Sequence, residues 1–120
     1  MSDYFYTKSK MYYENYKLGK LTRKVGSVIK DGNRYLVILR NGKRPVFAGG
    51  SVDEGETTRD AIVREVFEET GAKVIKLKYL AREYYSVDWE FEGITFPNKR
   101  FEYIYLCKIE KGDFNVQGLE

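Results

Sequence analysis

Apolar and polar positions first alternate clearly over Val25–Ile29, which predicts a strand. Asp31-Gly32-Asn33 then reads as a turn, and Arg34–Arg40 as a second, mostly apolar strand. Asn41-Gly42 is a strong hairpin signal. Four of the 11 glycines fall between Gly42 and Gly55, so residues 43–56 read as a loop. Over Thr57–Thr70 the period changes to that of a helix, with Thr57 as N-cap, Asp60 three residues on as in a capping box, and Gly71 as the stop. Val74–Tyr85 and Arg100–Ile109 are predicted strands, separated by a loop that contains Pro97. Residues 1–20, rich in Tyr and Lys with weak periodicity, are expected to form an arm or an edge strand. One helix among strands predicts a mixed α/β (α+β) domain. The length of 120 residues suits a single domain over 1–120.

The predicted helix is chemically odd. With Glu65 at zero on a wheel of about 100° per residue, Glu69 lies near +40° and Glu68 near −60°. The three glutamates share one face, with Val63, Val66 and Phe67 opposite. Like charges three and four residues apart repel by roughly 0.2–0.5 kcal/mol each. Carboxylates at a helix C-terminus also oppose its dipole by roughly 0.3–1 kcal/mol. Arg64 can relieve Glu68 but not all three. A divalent cation would relieve them together, and oxygen-only ligands suit magnesium, manganese or calcium rather than zinc. A solvated acidic face is the plainer alternative, and the Gly49-Gly50 pair ahead of it shifts the balance by allowing close backbone approach.

Composition narrows the chemistry further. There is no histidine, so a Ser-His-Asp triad is excluded and catalysis must use carboxylates, Lys, Tyr or hard metal ions. The single cysteine, Cys107, cannot form an internal disulfide and is expected as a small buried hydrophobe. No secretion signal or long apolar run is evident, which points to a cytoplasmic setting and no membrane partner. Residues 1–48 carry 11 Lys/Arg against 3 Asp/Glu, whereas residues 49–120 carry 10 against 15. A basic half beside an acidic half suits a polyanion bridged to the protein by metal, although two solvated faces would look the same.

Gly50, Glu56, Arg64-Glu65-Val66, Glu68-Glu69, Gly71 and Ala72 stand at the spacing G-x5-E-x7-R-E-U-x-E-E-x-G-U, where U is bulky and aliphatic. This resembles the Nudix box. Every charged and glycine position matches, and only Ala72 is smaller than the pattern expects. Phe47-Ala48 replaces the Leu-Pro common before the double glycine. The resemblance implies a mixed β-sheet sandwiched by helices, with the C-terminal helix apparently missing or truncated in this chain. It implies a hydrolase for a nucleoside diphosphate linked to another moiety, dependent on Mg2+ or Mn2+, with a nucleoside triphosphate slightly favoured. By the same resemblance, Glu65, Glu68 and Glu69 correspond to metal ligands, Gly49 to a carbonyl ligand, and Glu56 with Arg64 to the pair that braces the loop.

A further acid often completes such a site. Glu120 is the first expectation, with Glu102 and Glu83 behind it. Tyr84, Tyr85 and Trp89, with Phe91 and Phe101, are candidates to stack on a nucleobase, although aromatic residues on strands are more often core or cross-strand pairs. The rival reading is a Nudix-like module that binds a nucleotide or RNA without efficient turnover. Nucleic acid is not the favoured partner, and a homodimer is compatible with the sequence.

Overall fold

The computed structural model describes residues 3–40 and 42–110, without the side chains of 3–5, 31 and 40. Ten elements follow one another: α1 (Asp3–Lys17), β1 (Thr22–Val28), β2 (Lys30–Asp31), β3 (Arg34–Tyr35), β4 (Ile38–Arg40), β5 (Arg44–Val46), β6 (Gly49–Ser51), α2 (Thr58–Thr70), β7 (Val74–Phe91) and β8 (Ile94–Ile109). The main sheet has the order β6-β1-β8-β7. β1 runs parallel to β8, from Thr22 beside Arg100 to Val28 beside Leu106, and antiparallel to β6. β7 and β8 form a long antiparallel hairpin.

Successive residues of a strand point to opposite faces. Val25 joins Ala61, Ile62, Val66, Tyr105 and Cys107 in the core beneath α2. Its neighbours Thr22 and Lys24 meet Asn15 and Tyr12 of α1. The sheet is therefore sandwiched between two helices, and the second of them is N-terminal. The C-terminal helix expected from the resemblance, like Glu120, concerns residues outside those described.

Four expectations change. Residues 3–17 form a helix rather than an arm or edge strand. Tyrosine favours strands on average, but here Ser9, Tyr12, Tyr13 and Tyr16 recur at helical spacing, and Tyr13 and Tyr16 pack on Phe96. Gly19, at φ 68°, ends that helix. The strand expected over Arg34–Arg40 divides into β3 and β4, each in its own two-stranded ladder. The loop expected over 43–56 contains β5 and β6. The loop expected around Pro97 is strand, and the chain reverses instead at Glu92-Gly93, with φ 49° and 79°. Positive φ at both central residues is the turn that matches strand twist. Pro97 is tolerated because β8 there has β7 on one side only; β1 joins at Arg100.

The helix expectation holds closely. Thr57, with φ −78° and ψ 158°, accepts a bond from the Asp60 amide, and Gly71 at φ 75° bonds back to the Phe67 carbonyl. Two side chains lie off the expected faces. Phe67 is 59 % exposed, whereas Ala61, Ile62, Glu65 and Val66 are buried. The stripe that packs is 61, 62, 65, 66, so Glu65 lies on the buried face and not on a solvated one.

Candidate active site

Strand β6 and helix α2 place the acidic residues. A Cβ at Gly50 would lie 2.5 Å from the Glu65 carboxylate carbon, so only glycine lets the carboxylate rest on the backbone there. At Gly49 a Cβ would meet the Val25 carbonyl oxygen at 2.2 Å, because β6 presses against β1. The Gly49 amide donates to Glu69 Oε1 at 2.9 Å. The double glycine thus brings two of the three box glutamates against the backbone.

Arg64 organises the remaining charge. Its Nε and Nη2 donate to the two oxygens of Glu56 at 2.8 and 2.9 Å, a bidentate fork. Nη2 also donates to the Ser51 carbonyl at 3.0 Å. Nη1 donates to Glu65 at 2.9 Å and to Glu68 at 3.3 Å. Asp53 stands 3.5 Å from Nη2, and the Asp53 amide donates to Glu56 Oε1 at 3.0 Å. The guanidinium hydrogen bonds hold the Glu56 carboxyl below its usual range, against a smaller opposing effect of burial. Its bonds to Glu56, then to Glu65, raise the already permanent basicity of Arg64. The self-repulsion anticipated for the acidic face is therefore partly offset from within, by one guanidinium shared among Glu56, Glu65 and Glu68.

Glu68 is exposed, Glu69 half-buried and Glu65 7 % exposed. Among the described residues, no three acidic side chains converge as a finished metal cage. The donors are nonetheless all hard oxygens, and two of the glutamates lie at the Gly49-Gly50 backbone. This set fits a hard divalent cation in kind.

A groove of about 290 Å³ opens on the other side of β6. It is floored by Lys24, Gly26, Val28, Glu102 and Ile104, and walled by Val46, Phe47, Gly49 and Gly50. Glu102 accepts from the Tyr85 hydroxyl at 2.7 Å. Burial, then this carboxylate, pushes Tyr85 up to about 12. A Cβ at Gly26 would meet Glu102 Oε2 at 2.6 Å, so glycine there leaves the groove open. Glu83 is exposed and does not line the groove.

None of the expected stacking residues lines the groove. Tyr84 is exposed and packs edge-on to Phe101, with ring centroids 5.7 Å apart. Trp89 is held by Tyr12 at 5.2 Å and donates to Ser9. Phe91 sits in the α1 core with Phe96. The aromatic side chain that does line the groove is Phe47, 48 % exposed. Its place just ahead of Gly49-Gly50 was the available signal. Cys107 is buried as expected, and burial pushes its thiol up to about 11.

The chain is similar in sequence and fold to known proteins. A 109-residue stretch is 30 % identical to YtkD of Bacillus subtilis, provisionally assigned as an 8-oxo-dGTP diphosphatase; it covers 91 % of this chain and 64 % of YtkD. An RNA pyrophosphohydrolase of Bartonella quintana is 46 % identical over 42 % of this chain and 30 % of its own length. The chain thus spans less than two thirds of these relatives. Among solved structures, the Bacillus subtilis pyrophosphohydrolase BsRppH superimposes with a TM-score of 0.59 at 31 % identity, covering 81 % of this chain and 55 % of that one. The MutT protein of Bacillus halodurans gives 0.61 at 21 % identity, covering 82 % and 63 %. The NUDIX domain profile matches residues 20–118, and the chain belongs to the NUDIX domain family.

Proposed function

We propose that the protein is a Mg2+- or Mn2+-dependent pyrophosphohydrolase that cleaves a nucleoside diphosphate linked to another moiety, with a nucleoside triphosphate favoured. The observation that carries this reading is the seating of Glu65 and Glu69 against Gly50 and Gly49 while Arg64 forks Glu56. Hydrolases of this family generally need a divalent metal, and Glu65, Glu68, Glu69 and the Gly49 carbonyl would hold it. When bound, such an ion neutralises a pyrophosphate, polarises a phosphoryl oxygen and lowers the pKa of water.

The chain's own residues supply positioning. Glu56 and Arg64 fix the loop against the helix, so the acidic cluster is preorganised rather than assembled on binding. A glutamate of the cluster can take a proton from the attacking water. The groove beside Gly49-Gly50 receives the nucleoside, with Phe47 as an apolar wall and Glu102 as a hydrogen-bond acceptor. The related proteins are named for 8-oxo-dGTP, RNA and ADP-ribose, all of them nucleotide derivatives.

One experiment tests this. The protein is incubated with a panel of nucleoside triphosphates, ADP-ribose and 5′-triphosphorylated RNA, with Mg2+ or Mn2+, and phosphate and pyrophosphate release are measured. Metal-dependent turnover of at least one substrate is expected. Nucleotide binding with no turnover under either metal would instead favour the binding-module reading, for which the Arg64 contacts holding Glu65 and Glu68 are the supporting observation.

A further inference from the structure

The sheet face turned toward α1 carries a second charged cluster of opposite composition. Lys24 Nζ donates to the Tyr12 phenol and the Ser51 hydroxyl, each at 3.4 Å, and those two oxygens are 3.1 Å apart. Arg100 stands behind them. Its guanidinium carbon lies 5.0 Å from the Tyr12 ring centroid and 5.4 Å from that of Trp89. Its Nε donates to Asn98, but Nη2 is the one buried side-chain polar atom without a partner among the described residues. Arg100 is 8 % exposed. Among the described residues, neither Lys24 nor Arg100 has a carboxylate in ion-pair range. Burial, and then the fields of Arg100 and Lys8, press the Lys24 ammonium below its usual range although Tyr12 opposes them.

A buried cation such as Arg100 without counter-charge is costly, and a second, half-buried cation sharing the same phenol adds to the cost. An anion at this point would relieve both. Lys24 also floors the groove beside Gly49 and Gly50. Ser51 follows Gly50 directly; its hydroxyl meets Lys24 while its carbonyl meets Arg64. The cationic cluster and the carboxylate cluster thus flank β6 from its two faces. A purely structural role, pinning α1 through cation–π contacts, accounts for the rings around Arg100. It does not account for a lysine in the groove floor or for the unmet Nη2.

We propose that Lys24, where it floors the groove beside Gly49 and Gly50, forms an oxyanion subsite that holds a phosphoryl group of the substrate other than the one facing the carboxylates, with the buried Ser51 and Tyr12 hydroxyls positioning its ammonium. Arg100 is the positioning cation behind it. The assignment of that phosphoryl group to a substrate rests on the pyrophosphohydrolase reading; anion binding by the cluster does not.

The test is calorimetric titration of the metal-free protein with inorganic pyrophosphate. Wild type binds. Lys24→Met weakens binding about tenfold or more, the scale of a lost charge-assisted hydrogen bond. Lys24→Arg keeps most of it. Lys78→Met, the same charge change on exposed β7, keeps wild-type affinity. With an active substrate, Lys24→Met raises KM with little change in kcat, and pyrophosphate competes with substrate. Lys24→Met is expected to melt no lower than wild type, since it removes a desolvated charge; should it fail to fold, Ser51→Ala provides the second measurement and weakens pyrophosphate binding a few-fold. Absence of pyrophosphate binding by wild type, equal binding by Lys24→Met, equal loss in Lys78→Met, or non-competitive inhibition overturns the proposal. Lys24-dependent binding in a protein that turns over no nucleotide would refute the enzyme reading and leave the anion site standing.

Discussion

The two charged clusters that flank β6 are built in opposite ways. On the α2 side, one guanidinium is surrounded by Glu56, Glu65, Glu68, Asp53 and the Ser51 carbonyl. On the α1 side, Lys24 and Arg100 have hydroxyls, an amide and aromatic rings for company. The first cluster comes from one continuous stretch of chain, Ser51–Glu68, whereas the second draws on α1, β1, β6 and β8. The lesson is that excess negative charge here is arranged within a motif, while excess positive charge is arranged by topology.

The largest effect should come from Glu65. Glu65→Gln is expected to lower turnover by about two orders of magnitude or more, since under the proposed function it removes a charged oxygen that would hold the metal. Rates under saturating Mg2+ check this; near-wild-type turnover would move the chemistry away from the motif cluster. In metal-free solution the same variant should lose stability rather than gain it, because the buried carboxylate is paired with Arg64 Nη1. That reverses what self-repulsion on a solvated face would give.

Arg64→Ala comes next. It leaves Glu56, Glu65 and the Ser51 carbonyl without their shared donor, and a loss of about 2–3 kcal/mol is expected in urea unfolding. Arg64→Lys should recover only part of it, because a point charge cannot fork Glu56. The same contacts set a pH dependence. Glu56 is held below its ordinary pKa, so its contribution is full above about pH 4.5 and is lost as pH falls through the lowered value. Acid unfolding of Arg64→Ala should therefore lack the part of the slope that wild type owes to Glu56.

How much of this was legible in the residues differs between the two sides. The α2 cluster was readable because its members are local: Thr57 and Gly71 mark the helix ends, and the spacing from Gly50 to Glu69 puts the acids on a known turn of chain. What the helical wheel misjudged was depth. Phe67 looks apolar and is exposed, and Glu65 looks solvated and is buried, because Gly50 offers the carboxylate a backbone seat that no periodicity records. The α1 cluster was not readable. Tyr12 lay in a segment whose tyrosines favour strands, and Lys24 and Arg100 become neighbours only through the pairing of Thr22–Val28 with Arg100–Leu106. The aromatic candidates failed to gather at the groove for the same reason, since strand residues serve whichever face the register gives them.

Gly50→Ala should have a smaller effect than Arg64→Ala on stability but still reduce turnover, because the added methyl displaces the Glu65 carboxylate it would touch. Overpacking of this kind costs about 1–3 kcal/mol. A thermal melt and an activity assay on one preparation separate the two. Phe67→Ser is the smallest expected change, within about 0.5 kcal/mol, since the ring is largely in water. A larger loss in urea unfolding would mean that the outer face of α2 is covered in solution.

The parallel pairing of β1 with β8 also sets the order of assembly. The β7–β8 hairpin needs only the Glu92-Gly93 reversal and can zip from its tip, where α1 later docks on Phe91 and Phe96. Joining Thr22 to Arg100 closes a loop that includes β6 and α2, and the entropy of that closure must be met before its contacts reward it. The groove between β1, β6 and β8 is consequently expected to form late, so helix α2 can be complete well before the groove beside it closes.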